Sequence, residues 1–173
     1  MGEIQSVCYT KEVIEFVAVA KEFCDFVEST RQMEKKDYMQ RLQKFLSLTY
    51  LKGSLLPSIE IQEGGMLEDF VSEDLYASLY KDISTLLEED DDFVEIYDLE
   101  MNYTSEPVGT TISEKVCDIY QNLKNFIESY KYGLTEIMEE ALWVLNNNFE
   151  NYWGKACVDC LPALHYALYR LHE

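Results

Sequence analysis

"TISEKVCDIYQNLKNFIESYKYG", residues 111 to 133, decides the fold class. Val116, Ile119, Tyr120, Leu123, Phe126, Ile127 and Tyr130 recur at three- and four-residue steps. At about 100° per residue that spacing makes one apolar stripe on a helix. Thr111 and Glu114 have capping-box spacing, so the start of the helix is written just ahead of the stripe. Gly133 stands where a helix ends in left-handed backbone.

The same grammar repeats outward. Residues 10–30 carry Val13, Phe16, Val17, Ala20, Phe23, Cys24 and Val27 on one face, with Thr10 as the expected N-cap. A second helix is expected from Asp37, as its cap, to Lys52, with Tyr38, Leu42, Phe45, Leu46 and Thr49 inward and Gly53 and Pro57 as its stop. A third fits 73–88 behind Ser72, with Glu73 and Asp74 suiting the positive end of the helix. Beyond Gly133, a fifth runs from Thr135 to about Trp153, and Gly154 breaks or bends it. A sixth covers about 155–171, where Pro162 either kinks the helix or forces a new start near Cys160. "IEIQEGG" (59–65) alternates too briefly to be read as a strand. The expected fold is therefore all-α: a single domain over 1–173, an antiparallel bundle of about six helices with a long acidic loop between the third and fourth.

Composition narrows the function classes. The chain of 173 residues is 47% hydrophobic, which excludes a disordered polymer. No apolar run approaches the roughly 18 residues of a membrane span. No basic start leads into an apolar h-region, and the cysteines (Cys8, Cys24, Cys117, Cys157 and Cys160) are odd in number and widely spaced. Both features point to reduced thiols and a cytoplasmic location.

The net charge is −19, and it is concentrated. Residues 60–106 hold sixteen Asp and Glu against Lys81 alone. Such a field repels nucleic acid and anionic membrane, and attracts a basic protein partner. Within it, Glu88, Glu89, Asp90, Asp91 and Asp92 are followed by Phe93 and Tyr97. A contact needs an apolar anchor as well as charge, so these seven are the candidate partner-binding residues. The run is not an EF-hand loop: from Asp90, the fifth place is Val94 and the glycine place is Glu95.

Catalytic signatures are missing. There is no G-x-S-x-G, no phosphate-cradling glycine loop and no Glu-x-x-His. Glu139 and Glu140 are adjacent, so on a helix they point in different directions and make no carboxylate pair. The sequence names no catalytic residue, implies no cofactor or metal and leaves the oligomeric state open. "NYWGKACVDCLPALH" (151–165) does hold a C-x-x-C pair with a histidine five residues on. No second ligand pair completes a zinc site, and no strand precedes it as in redox motifs. On a helical wheel Cys157 and Cys160 fall inside the stripe of Leu161, Leu164 and Leu168, where cysteine acts as a small hydrophobe.

Three stretches carry a resemblance: "FVAVAKEFCDFVE" (16–28), "ISEKVCDIYQNLKNFIESY" (112–130) and "FENYWGKACVDCLPALH" (149–165). They resemble the bacterial domain-of-unknown-function family numbered 5063. The shared features are an Asp-Ile-Tyr step (Asp118, Ile119, Tyr120), a Trp-Gly pair (Trp153, Gly154) and a closing Ala-Leu-His (Ala163, Leu164, His165). Tyr152 stands where that family often has histidine, and Pro162 where it favours arginine. The resemblance implies an all-helical cytoplasmic protein and brings no activity with it. Asp118, Tyr120, Trp153, Gly154 and His165 are accordingly read as structural. The leading functional reading is a protein-interaction or accessory module with an acidic surface. The alternatives are a small-molecule-binding or metal-dependent enzyme with its site inside the bundle, and an acidic nucleic-acid mimic.

Overall fold

The computed structural model describes residues 5–62, 64, 67–95 and 108–170. Its described elements are α1 (Lys11–Glu28), α2 (Lys35–Ser54), α3 (Glu73–Leu87), β1 (Asp92–Val94), β2 (Gly109–Thr111), α4 (Ile112–Tyr130), α5 (Thr135–Asn148) and α6 (Gly154–Tyr169). The protein is mostly helical with a small two-stranded sheet.

The helix starts show which local signals act. Ser72 accepts from the Leu75 N–H at 3.1 Å, and Thr111 accepts from the Glu114 N–H at 3.1 Å. Each satisfies an amide that the helix itself leaves open. The other two expected caps differ. Thr10 instead donates its hydroxyl to the Val7 carbonyl at 2.9 Å, closing the turn before α1. α2 begins ahead of Asp37, which lies inside the first turn and pairs with Arg41 at 3.0 Å. At the far end of α4, Gly133 has φ +68°, the left-handed conformation its position required.

The expected stop of α2 falls within two residues of its place, whereas the expected break at Gly154 is bridged. α2 runs through Gly53 to Ser54. α5 and α6 are joined by a π turn over Phe149–Trp153, so the fifth and sixth expected helices form one continuous rod and the bundle has five. Gly154 is what the junction needs: a β-carbon there would lie 2.5 Å from the Phe149 carbonyl oxygen. α6 then continues across Pro162 without a fresh start near Cys160.

α4 is the inner helix, packed against α1, α3, α5 and α6, while α2 lies against α1 and α6. Phe26 of α1 stacks on Tyr38 of α2 at 4.9 Å, and Lys52 reaches Glu15 at 2.8 Å, so these two helices run antiparallel. One buried cluster joins all the helices, with Phe16, Leu42, Ile83, Leu123, Leu142, Trp153 and Leu164 among its members. No described helix is long and apolar enough to cross a membrane.

The acidic segment is not simply a loop where it is described. Glu88–Asp90 form a 3-10 turn, and β1 pairs antiparallel with β2, setting Asp92 opposite Thr111 and Val94 opposite Gly109. The ribbon feeds directly into α4. Tyr97 lies outside the described residues.

Candidate functional site

The five acids from 88 to 92 meet an electrostatic problem first. Glu88, Glu89 and Asp90 follow the C-terminus of α3, where the helix dipole disfavours negative charge. Glu88 also has φ +51° and ψ −122°, a strained backbone for any residue but glycine. Lys35, at the first position of α2, offsets this. Its ammonium lies 2.8 Å from Asp90, 3.6 Å from Glu89 and 3.8 Å from Glu88. Arg170 approaches Asp90 from α6's end at 3.4 Å. The acids thus form a clasp that ties α3, α2 and α6 together.

Asp91 is placed differently from its neighbours, and its expected role as an outward contact residue is corrected by its burial. It is 5% exposed. Its carboxylate accepts from the Ser113 N–H at 2.8 Å and the Ser113 hydroxyl at 2.7 Å, and its carbonyl accepts from the Ile112 N–H at 2.8 Å. It therefore serves the first turn of α4, where negative charge is favoured. Burial pushes its carboxyl up from the ordinary range, while the two Ser113 bonds pull the other way. Three residues after β1's first position, Glu95 pairs with Lys115 and Lys155, and the Lys115 hydrogen bond holds it below the usual range.

Glu89, Asp90, Asp92 and Phe93, but not Glu88, line a groove of about 340 Å³ between the clasp and α6, with Arg170 at its edge. Glu89, Asp90, Asp92 and Asp159 supply carboxylates to its lining. Phe93 and Val94 come from β1, and Pro162, Ala163, Tyr166 and Ala167 from α6. Phe93 is half-buried and packs on the core, whereas Val94 and Tyr166 are 49% and 68% exposed. Asp159 is paired with Lys155 at 2.7 Å. Among the described residues, Asp92 has no ion-pair partner. Pro162, the position where the sequence departs from the family pattern, lies on this groove.

The family-pattern residues sit elsewhere. Asp118 accepts from the Tyr76 hydroxyl at 2.7 Å, and burial raises its carboxyl. Tyr120 donates to Glu28 at 2.7 Å, and Lys124 meets the same oxygen at 3.0 Å. The Trp153 indole donates to the Leu145 carbonyl at 3.0 Å and meets Phe149 edge-on at 4.7 Å. The contacts of Asp118 and Tyr120 join helices, and those of Trp153 brace the π turn. His165 is exposed and rests against Tyr169 at 4.7 Å. All five cysteines are buried and unpaired, and burial pushes Cys24 and Cys117 up to about 12, so a reactive thiolate is disfavoured. Cys157 and Cys160 are core side chains. Among the described residues, no three His, Cys, Asp or Glu side chains converge as a metal site requires.

A second cleft escaped the sequence reading. It lies between α4, α5 and residues 67–69, and its lining includes Gln121, Asn122, Asn125 and Asn148. Asn148 donates to Asn122 at 2.8 Å, and Asn122 donates to the Asp118 carbonyl at 2.9 Å. A signal was present: "NNN" at 146–148 puts three poor helix formers inside a helix, which needs a tertiary reason.

With this geometry in view, comparison adds two findings. The model of the family Domain of unknown function (DUF5063) matches residues 7–170. The crystal structure of protein BF1032 from Bacteroides fragilis, a Northeast Structural Genomics Consortium target, is similar with a TM-score of 0.84 and 36% identity, over 95% of this chain and 97% of that one. No curated protein matches the chain.

Proposed function

The chain belongs to the DUF5063 family, and within that family we propose that it acts as a protein-interaction module. Its contact face is the groove between β1 and α6, and its partner is a basic segment carrying apolar side chains. One observation carries the reading: exposed apolar side chains, Val94 and Tyr166, share a groove with carboxylates that the fold does not fully neutralise, Glu89 and Asp92. Apolar anchors supply affinity, and the carboxylates select sign and speed the encounter. The −19 charge of the chain extends that steering beyond contact range. The strain at Glu88 supports the reading too, because a conformational cost persists where surrounding structure and use require it. Five unpaired thiols support a reducing compartment such as the cytoplasm for this work.

The test is fluorescence anisotropy with a labelled amphipathic Lys/Leu helical peptide at low and moderate salt. The wild type is compared with Glu89→Gln/Asp92→Asn and with Tyr166→Ala. Saturable binding weakened about tenfold by either variant is expected, the size of one or two lost partly exposed contacts. Equal binding by all three proteins, or none by the wild type, overturns the reading.

A further inference from the structure

We propose that the carboxamide cleft between α4 and α5 is a binding site for a small aliphatic amine with ammonium groups at its ends. The argument rests on which valences the fold uses and which it leaves. The cleft holds about 310 Å³, within the range of small-ligand sites in helical bundles. Among the described residues, no Lys, Arg or His lines it, and two carboxylates do, Glu68 and Asp69. That balance of charge favours a cation over an anion.

The polar groups are held in place. Asn125 accepts from the Phe70 N–H at 2.8 Å and donates to Asp69 Oδ1 at 3.1 Å. The same Asp69 oxygen takes the Val71 N–H at 3.1 Å. Tyr132 donates to Glu68 Oε2 at 3.0 Å. Asn148 spends its amide N–H on Asn122. Among the described residues, four oxygens are left over, Asp69 Oδ2, Glu68 Oε1, Asn148 Oδ1 and Gln121 Oε1, beside the Gln121 NH2 and the second N–H of Asn122, Asn125 and Asn148.

A primary ammonium offers three donors and no acceptor, which suits the four oxygens, and the two carboxylates above all. The rest of the lining, including Phe126, Val144 and Leu145, is apolar and suits methylenes between two such ends. A hydrated divalent cation would use the oxygens but waste the apolar wall. Because hydrogen bonds inside the protein already orient Asp69 and Asn148, little ordering cost remains at binding.

The experiment is titration calorimetry with 1,4-diaminobutane, the neutral analogue 1,4-butanediol, and MgCl2. Four proteins are used: wild type, Asp69→Asn, Gln121→Ala and the clasp variant Glu89→Gln/Asp92→Asn. The expected result is one saturable diamine site per chain and no diol binding. Asp69→Asn should weaken it about tenfold or more, the scale of one charge-assisted hydrogen bond. Among the described residues the Gln121 side chain makes no hydrogen bond, so Gln121→Ala tests the cleft without loosening residues 67–71, and it should weaken binding about threefold. The clasp variant should bind as the wild type does, which separates this site from general attraction to an acidic protein. Diamine binding that is absent, unchanged in both cleft variants, lost in the clasp variant, or displaced by equimolar magnesium overturns the proposal.

Discussion

The two ends of α2 are held by different physics. At its first residue, Lys35 reaches into three successive carboxylates, and long flexible side chains set the geometry. At its last turn, Gly53 sits where a β-carbon would come 2.5 Å from the Trp153 ring and 3.0 Å from Phe149. The first contact is a matter of sign and tolerates small movements. The second is a matter of shape and tolerates none, since packed interiors resist added atoms. Charge thus holds the end next to the groove, and shape holds the end next to the π turn. Side chains can be altered more cheaply at the first end than at the second.

The largest effect should follow from filling the shape-held end. Gly154→Ala puts a β-carbon 2.5 Å from the Phe149 carbonyl and 2.8 Å from its ring. In an ordinary helix interior, Gly→Ala gains roughly 1 kcal/mol. Here the close approach to backbone should reverse the sign, with a loss on the order of 3 kcal/mol in urea unfolding. A gain in stability would mean that the π turn relaxes to an α turn without penalty, and the contrast between the two ends would fail.

That result also bears on what the sequence could reveal. The helices were legible because burial imposes a period, and Val116 to Tyr130 keep it without interruption. The π turn was not legible. Gly154 announced a special backbone, but a break, a bend and a π turn all ask for glycine. Gly53 marked the end of α2 to within a residue, but its second role was hidden, because the Trp153 ring that demands a glycine lies 100 residues away in the chain. The groove was half legible. Glu89, Asp92 and Phe93 reach it as acidic and apolar neighbours in sequence, while its other wall, Pro162 to Ala167, comes from a helix that local pattern cannot place there. Asp91 looked like its neighbours in composition, and only the tertiary approach of Ser113 separates it from them.

That separation supplies the second prediction. Asp91→Ala leaves the buried Ser113 amide without its acceptor and the Ser113 hydroxyl with only Thr111 Oγ1 at 3.0 Å, and should cost about 2 kcal/mol in urea unfolding. Glu89→Gln/Asp92→Asn, two residues before and one after but on the groove lining, should stay within about 0.5 kcal/mol of the wild type. Equal losses would show that the clasp acts as one charge cluster, with no division between a structural acid and contact acids.

The smallest effect is also the most diagnostic of how charge holds its end. Asp91 and Glu95 stand four residues apart, and the fold shifts them oppositely. Burial raises Asp91 above 3.8, so the folded state prefers its neutral form, and stability falls as pH rises from 3.8 through the raised value. Hydrogen bonding to Lys115 lowers Glu95 below 4.5, so its contribution is present above 4.5 and is lost as pH falls through the lowered value. Removing each titration should expose the two slopes. The stability of Asp91→Asn relative to the wild type should improve from pH 4 to pH 7, and that of Glu95→Gln should worsen from pH 3 to pH 5. The relative stability of Gly154→Ala should be flat across both windows, because Gly154, Phe149 and Trp153 carry no group that titrates there. Urea midpoints with their slopes at these pH values decide it. A tilt in the glycine variant's profile would tie the π turn to the charges of the clasp and make the two ends of α2 one coupled device.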